Sequence, residues 1–142
     1  MRLIELSLND SQKNKVEYLS AAEILAIHDR IIEVIGGIHG VRDENSLQSV
    51  AVRPQTAYGG SDMFPDLFSK AASYLEGISG FHPFSDGNKR TSITVAAAFL
   101  GRNGYEVILP IEEAESFIIA VAQKQKTTSE VAAWLKKHSR KI

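Results

Sequence analysis

The sequence predicts a mainly α domain of about six helices with one or two short β elements. Three observations carry that expectation. Apolar residues recur at helical spacing in stretch after stretch of the chain. Capping boxes, which satisfy the free amides at a helix start, stand at Ser20-Ala21-Ala22-Glu23 and Thr127-Thr128-Ser129-Glu130. Glycine or proline then punctuates the periodic stretches at Gly36-Gly37, Pro54, Pro65, Gly80, Gly104 and Pro110. The 142 residues are read as one domain, 1–142, with 1–19 as a short N-terminal extension.

In the extension, residues 3–8 and 16–19 read as short strands around a polar turn. Ser20 then caps a helix whose stripe is Ile24, Ile27, Ile31 and Val34, widened by Leu25, Ile32 and Ile35, and Gly36-Gly37 stops it. His28 lies in this helix and His39 in the loop after it. Both are expected to be structural or surface residues, since neither has neighbours at metal-ligand spacing. Asp43 caps a helix over 44–52 that turns Leu47, Val50 and Ala51 inward, and Pro54 ends it. Arg53 is left open between a phosphate or target contact and a solvated charge. Tyr58-Gly59-Gly60-Ser61-Asp62 is a loop. Pro65 opens a helix to about residue 79, with Leu67, Phe68, Ala71, Ala72, Leu75 and Ile78 on one face, and Gly80 breaks it.

Residues 88–103 form the next helix. Its middle, 93–100, is apolar nearly all round, so it is expected to be the central helix of the core. Residues 105–109 are extended. Pro110 opens a helix with Ile111, Ala114, Phe117 or Ile118, and Val121 inward. Thr127 starts the last helix, with Val131, Trp134 and Leu135 inward and Lys136 and Lys137 suiting its C-terminal dipole.

Between the helices ending near Gly80 and starting at Asn88 lies the chemically dense stretch His82-Pro83-Phe84-Ser85-Asp86-Gly87-Asn88-Lys89-Arg90. A glycine-bearing loop that runs into a helix N-terminus presents free backbone amides, and the helix dipole favours an anion there. Gly87 lets a phosphate approach the backbone. Lys89 and Arg90 add positive charge, and arginine can grip a phosphate with two parallel hydrogen bonds. A carboxylate beside a phosphate is repelled unless a cation lies between, so Asp86 suggests Mg²⁺. His82 is the residue whose ordinary pKa suits proton abstraction near neutrality. Phe84 is the apolar anchor beneath the loop. Any one of these residues is adequately explained as a turn or a cap, but together they answer the separate needs of phosphoryl or nucleotidyl transfer. The chain has no P-loop, no kinase catalytic-loop motif and no ordered set of zinc ligands.

The stretch resembles the signature of the Fic/Doc (Fido) family, His-x-Phe-x-(Asp/Glu)-(Gly/Ala)-Asn-(Gly/Lys)-Arg, and meets every fixed position. Lys89 stands where Fic enzymes carry glycine, which places the resemblance in the Doc, or death-on-curing, branch. It extends over roughly residues 18–138 and includes Gly40-Val41-Arg42-Asp43 and Arg53-Pro54-Gln55. The resemblance implies a Fic/Doc-like bundle that binds ATP with Mg²⁺ and transfers the γ-phosphate to a hydroxyl of a protein substrate. His82 would be the general base, Asp86 the metal ligand, and Gly87, Asn88, Lys89 and Arg90 the phosphate holders. The loop 58–62 would correspond to the flap over the site, where the target segment docks. It further implies a toxin of a toxin–antitoxin pair that acts on a translation elongation factor and is held by a cognate antitoxin. Two alternatives stand beside it: Fic-type attachment of AMP, and a non-catalytic Fido module that only binds protein. The inhibitory pattern Ser/Thr-x-x-x-Glu-Gly/Asn of many Fic proteins is missing, since Ser73-Tyr74-Leu75-Glu76-Gly77 is one residue short.

Composition bounds the rest. A net charge of −1 gives no basic field for direct nucleic-acid binding. The absence of cysteine excludes disulfides and thiolate metal sites and is compatible with a reducing cytoplasm, the expected location. No apolar run approaches the roughly 20 residues of a membrane helix, and charge interrupts the first residues too early for a secretory signal, so no membrane partner is expected.

Overall fold

The structure, a computed structural model, describes residues 15–142. Among them are six α-helices: α1 (Ala21–Ile35), α2 (Glu44–Val52), α3 (Leu67–Phe81), α4 (Asn88–Arg102), α5 (Ile111–Ala122) and α6 (Thr128–Lys137). Two small antiparallel ribbons complete the set, β1 (Ala57–Tyr58) with β2 (Ser61–Asp62) and β3 (Tyr105–Val107) with β4 (Ser139–Lys141). The chain is mainly α, as its periodicity predicts.

The local signals operate as written. Ser20 Oγ accepts the Glu23 amide while Glu23 returns to the Ser20 amide, both at 3.1 Å. Thr127 and Glu130 do the same for α6. Asp43 caps α2 through Ser46, whose amide holds the Asp43 carboxyl below its ordinary range, and Leu47, Val50 and Ala51 are buried. Gly59 and Gly60, at φ 54° and 83°, close the tight β1–β2 turn inside the stretch read as a loop.

The most enclosed helix is α3, where the sequence points to α4. Lys70 to Leu75 and Gly77 to Ser79 are buried, covering every side of α3, whereas α4 buries the narrower stripe of Thr91, Ser92, Val95, Ala96, Phe99 and Leu100. Small residues explain the exchange. Ala71, Ala72, Ser73, Gly77 and Ser79 let neighbours approach α3 closely; a methyl at Gly77 would already stand 3.1 Å from Val50. The helix also starts later and ends later than expected. Asp66, not Pro65, is its edge, in a reciprocal cap with Ser69. It runs through Gly80 to Phe81, because a helical glycine costs only about 1 kcal/mol and the buried Ile78 and Ser79 hold the turn.

Three further differences are long-range. Residues 16–19 form no strand. They run alongside α4 and α3 instead, with Glu17 bonded on both sides to the Asn103 side chain and Leu19 N–H donating to the buried Tyr74 hydroxyl at 2.9 Å. Burial pushes the Tyr74 pKa up to about 12. The strand expected over residues 3–8 lies outside the described residues. The β3–β4 pairing, with Glu106 opposite Arg140 at 2.8 Å, joins segments far apart in sequence and has no local signature. The buried face of α1 is Ile24, His28 and Ile32, so the stripe is rotated and Val34 and Ile35 are exposed.

Candidate active site

Helices α3 and α4 pack more extensively on each other than any other pair, and residues 82–87 connect them. His82 ends α3 in the left-handed region, at φ 51° and ψ 61°. For a residue with a Cβ this conformation costs roughly 1–2 kcal/mol. Its surroundings hold it there: His82 N–H donates to Ile78 O, and Arg42 Nε donates to His82 O at 2.6 Å. Arg42 also reaches Phe81 O at 2.7 Å, so one guanidinium covers the last carbonyls of α3, where the dipole favours a cation.

The segment between α1 and α2 is laid along the loop. Arg42 and Asp43 amides both donate to Pro83 O, Val41 bridges Phe84, and Ser85 N–H donates to Gly40 O. Phe84 is buried beneath, as expected of the anchor. The Asn88 side chain folds back on it, accepting Phe84 N–H at 3.1 Å and donating to Phe84 O at 2.9 Å. Asn88 therefore shapes the loop from inside.

Asp86 is exposed, and its carboxylate accepts from Ile38 N–H at 3.0 Å and Gly87 N–H at 2.9 Å. The approach of Ile38 demands glycine next to it: a Cβ on Gly37, at φ 128°, would lie 2.7 Å from Asp86 Oδ2. Gly87, at φ 75°, occupies the cap position of α4 with no side chain to bond the helix amides. Lys89 and Arg90 follow, both exposed, and among the described residues neither forms an ion pair.

These residues share one cleft of about 690 Å³. His82, Asp86, Gly87, Asn88, Lys89 and Arg90 line its polar side. Ile31 and Ile35 of α1, Ile93 of α4, Leu109, and Ile118 and Ile119 of α5 line the other. The cleft thus sets a polar rim, with Lys89 and Arg90 beside the carboxylates Asp86 and Glu115, on an apolar wall, dimensions and chemistry that suit a nucleotide with a bound cation. Every residue of the sequence-predicted site meets there.

Arg53 does not. Its guanidinium donates to Ser73 O at 2.8 Å, approaches Glu76 at 3.8 Å and lies over the Phe64 ring, so it ties the end of α2 to α3. Sequence reasoning named Arg42 without a role, and it treated His28 only as a structural or surface residue. The signal for His28 was available: it stands four residues from both Ile24 and Ile32, on the buried stripe itself. Among the described residues no group of three or more His, Cys, Asp or Glu is placed to hold a metal ion, and no helix is long and apolar enough to cross a membrane.

A helical bundle with this loop at the head of a core helix defines a protein class, and the comparison with known proteins identifies it. A model described as the Fic/DOC family matches residues 18–100, and the chain belongs to that family. It is 32% identical over 122 residues to Protein kinase doc of Escherichia phage P1, covering 86% of this chain and 95% of that protein. It is 33% identical over 121 residues to Toxin Doc of Mycolicibacterium smegmatis, covering 84% and 91% respectively. Both relatives are Doc proteins, the branch to which Lys89 points.

Proposed function

We propose that this chain is a Doc-type toxin that transfers the γ-phosphate of ATP to a Ser or Thr hydroxyl of a protein target. The observation that carries the proposal is the shared cleft. An exposed histidine, a carboxylate and a helix head without a side-chain cap, with two cations unpaired among the described residues, converge on one apolar-walled cavity of nucleotide size. In this reading a ring nitrogen of His82 takes the hydroxyl proton. The hydroxyl oxygen bonds the γ-phosphorus, the bond from that phosphorus to the β-phosphate oxygen breaks, and ADP leaves. Lys89, Arg90 and the amides at the head of α4 hold the phosphates, with the loop shaped by Asn88. Positioning in line with the base supplies most of the catalysis in such a transfer.

The donor set fits Mg²⁺. Each Asp86 oxygen accepts one amide, which leaves acceptor capacity on an exposed carboxylate, and Mg²⁺ is commonly held by one carboxylate together with substrate phosphates and water. When bound it supplies charge neutralisation between carboxylate and phosphate. The β1–β2 hairpin is the proposed dock for the target segment. An elongation factor is the target that the resemblance supports, and the name Toxin Doc of one relative supports control by a separate antitoxin. The short spacing in residues 73–77 agrees: Glu76 sits on α3, bonded to Thr128 and paired with Arg53, and does not line the cleft that Arg90 lines.

Lys89 favours phosphate over AMP, because its long side chain takes space that glycine would leave for the terminal phosphates. The test is label transfer to a protein in cell extract, run in parallel with α- and γ-labelled ATP. Label from the γ position alone is expected. Label from the α position would replace the kinase with a nucleotidyltransferase. No label, with no thermal shift in ATP and Mg²⁺, would leave a protein-binding module.

A further inference from the structure

One buried group under the loop has no part in the chemistry above. His28 is 0% exposed. Its Nε2 lies 2.8 Å from the Asp86 carbonyl oxygen, and its Nδ1 lies 3.2 Å from the Asp29 carboxylate. A carbonyl only accepts, so Nε2 carries the hydrogen and donates it. The ring lies flat on Phe84, with centroids 3.9 Å apart and planes at 8°. It also lies 3.8 Å from where a Cβ on Gly87 would be. Phe84, Asp86 and Gly87 are thus seated on one imidazole.

The bond to Asp86 O falls on a sensitive peptide. The Asp86 carbonyl and the Gly87 amide belong to one plane and point in opposite directions. With the carbonyl turned inward to His28, the Gly87 N–H is turned outward to the cleft, where it now meets Asp86 Oδ1 at 2.9 Å. At most positions side-chain sterics would hold such a plane. At Gly87 they do not, because glycine accepts either sign of φ. Hydrogen bonds therefore have to do what a Cβ does elsewhere, and the one that ties this plane to another element is the His28 bond.

We propose that His28 is a positioning residue for the transfer reaction: its Nε2–H locks the Asp86–Gly87 peptide so that the Asp86 carboxylate and the Gly87 amide face the nucleotide. This rests on the transfer activity proposed for the loop, and it adds a residue of α1 to the polar groups of residues 82–90 on which that proposal relies. His28 reacts with nothing; it acts through the peptide it holds.

Two substitutions separate positioning from packing. His28→Gln can place an amide donor near the Nε2 position, whereas His28→Leu fills the space and donates nothing. With thermal melts confirming folded protein, His28→Leu is expected to lower kcat about 10²-fold, the scale of a misplaced reacting group. His28→Gln should recover to within about 10-fold of the parent. Equal losses in both, or near-parental kcat in His28→Leu, would overturn the proposal. An independent readout needs no turnover. The Gly87 amide resonance should keep its parental shift in His28→Gln and move in His28→Leu, and a shift that moves in neither would also overturn it. If His28→Leu does not fold, the parent protein still decides: its long-range ¹H–¹⁵N spectrum must show a protonated Nε2 at His28, and a bare Nε2 sinks the idea. Absence of label transfer in the parent protein would remove the kinase reading alone, since the Gly87 and His28 resonances score the peptide lock without it.

Discussion

At the head of α1, Ser20 and Glu23 close on each other's backbone, and Arg102 from the end of α4 closes on Glu23 at 2.5 Å. At the head of α4, Gly87 offers no side chain, and Lys89 and Arg90 stand in the cleft without an ion-pair partner among the described residues. Both ends present the same free amides. One has its polar groups satisfied from within the fold, as α2, α3 and α6 do through Asp43, Asp66 and Thr127. The other keeps its donors and cations facing a cavity. Satisfied polar groups belong to stability, and groups left open in a well-fixed frame belong to binding. The two helix heads should therefore respond to substitution in opposite currencies.

The largest expected effect is at the open end. His82→Ala should keep the fold and lower transfer by about 10²–10⁴-fold, the usual scale for loss of a general base. Near-parental turnover in labelled-target assays would remove His82 from the chemistry. Next comes Arg90→Ala, expected to weaken binding of ATP with Mg²⁺ by about tenfold or more, the loss of a charge-assisted contact. Its melting temperature should hold, because the Arg90 side chain is exposed and forms no hydrogen bond or ion pair among the described residues, the Thr94 hydroxyl reaching only its main-chain oxygen. Titration calorimetry beside a melt checks both halves, and a drop in melting temperature without a change in affinity would reverse the comparison.

At the closed end the sign inverts. Ser20→Ala should cost about 1 kcal/mol of stability in denaturant unfolding and leave turnover per folded molecule unchanged. The smallest effect is in acid. The Arg102 guanidinium, helped by the Ser20 amide, lowers the Glu23 pKa from 4.5 to about 2. A lowered carboxyl contributes stability above its unfolded pKa and loses it as pH falls. The contribution should thus be complete above about pH 5 and fade between pH 4.5 and about 2. Glu23→Gln should flatten that part of the stability profile, and an unchanged profile would show that the pair is solvated in solution.

The contrast also explains what could be read without coordinates. Caps are spelled by residues three apart, so Ser20-Glu23, Asp43 and Thr127-Glu130 were legible. The residues of the loop that line the cleft were legible for the same reason, being packed into nine consecutive positions. What failed was long-range. Nothing near Gly80 says that the burial of Ile78 and Ser79 will carry a helix through it. Nothing near Tyr105 says that residues 139–141 will return to pair with it. Arg42 could be seen as a charge, but its grip on the carbonyls of Phe81 and His82 spans 39 and 40 residues of sequence. The apolar wall of the cleft was written as core, because the residues that line it on α1 and α5 follow the same periodicity as those that pack.

Lys70 carries a consequence of its own. It is 4% exposed, and its ammonium donates to Phe64 O at 2.6 Å and Pro54 O at 3.3 Å, the two stems from which the β1–β2 hairpin springs. Both stems are thus pinned to α3 by one atom, while the hairpin residues beyond them are exposed. Changes of sequence or length at the tip are expected to end at that pin and to leave the α3–α4 frame in place. The hairpin is in this sense an interchangeable part, and in its proposed role as the dock it could be retuned through a few surface residues while the fold behind it stays as it was.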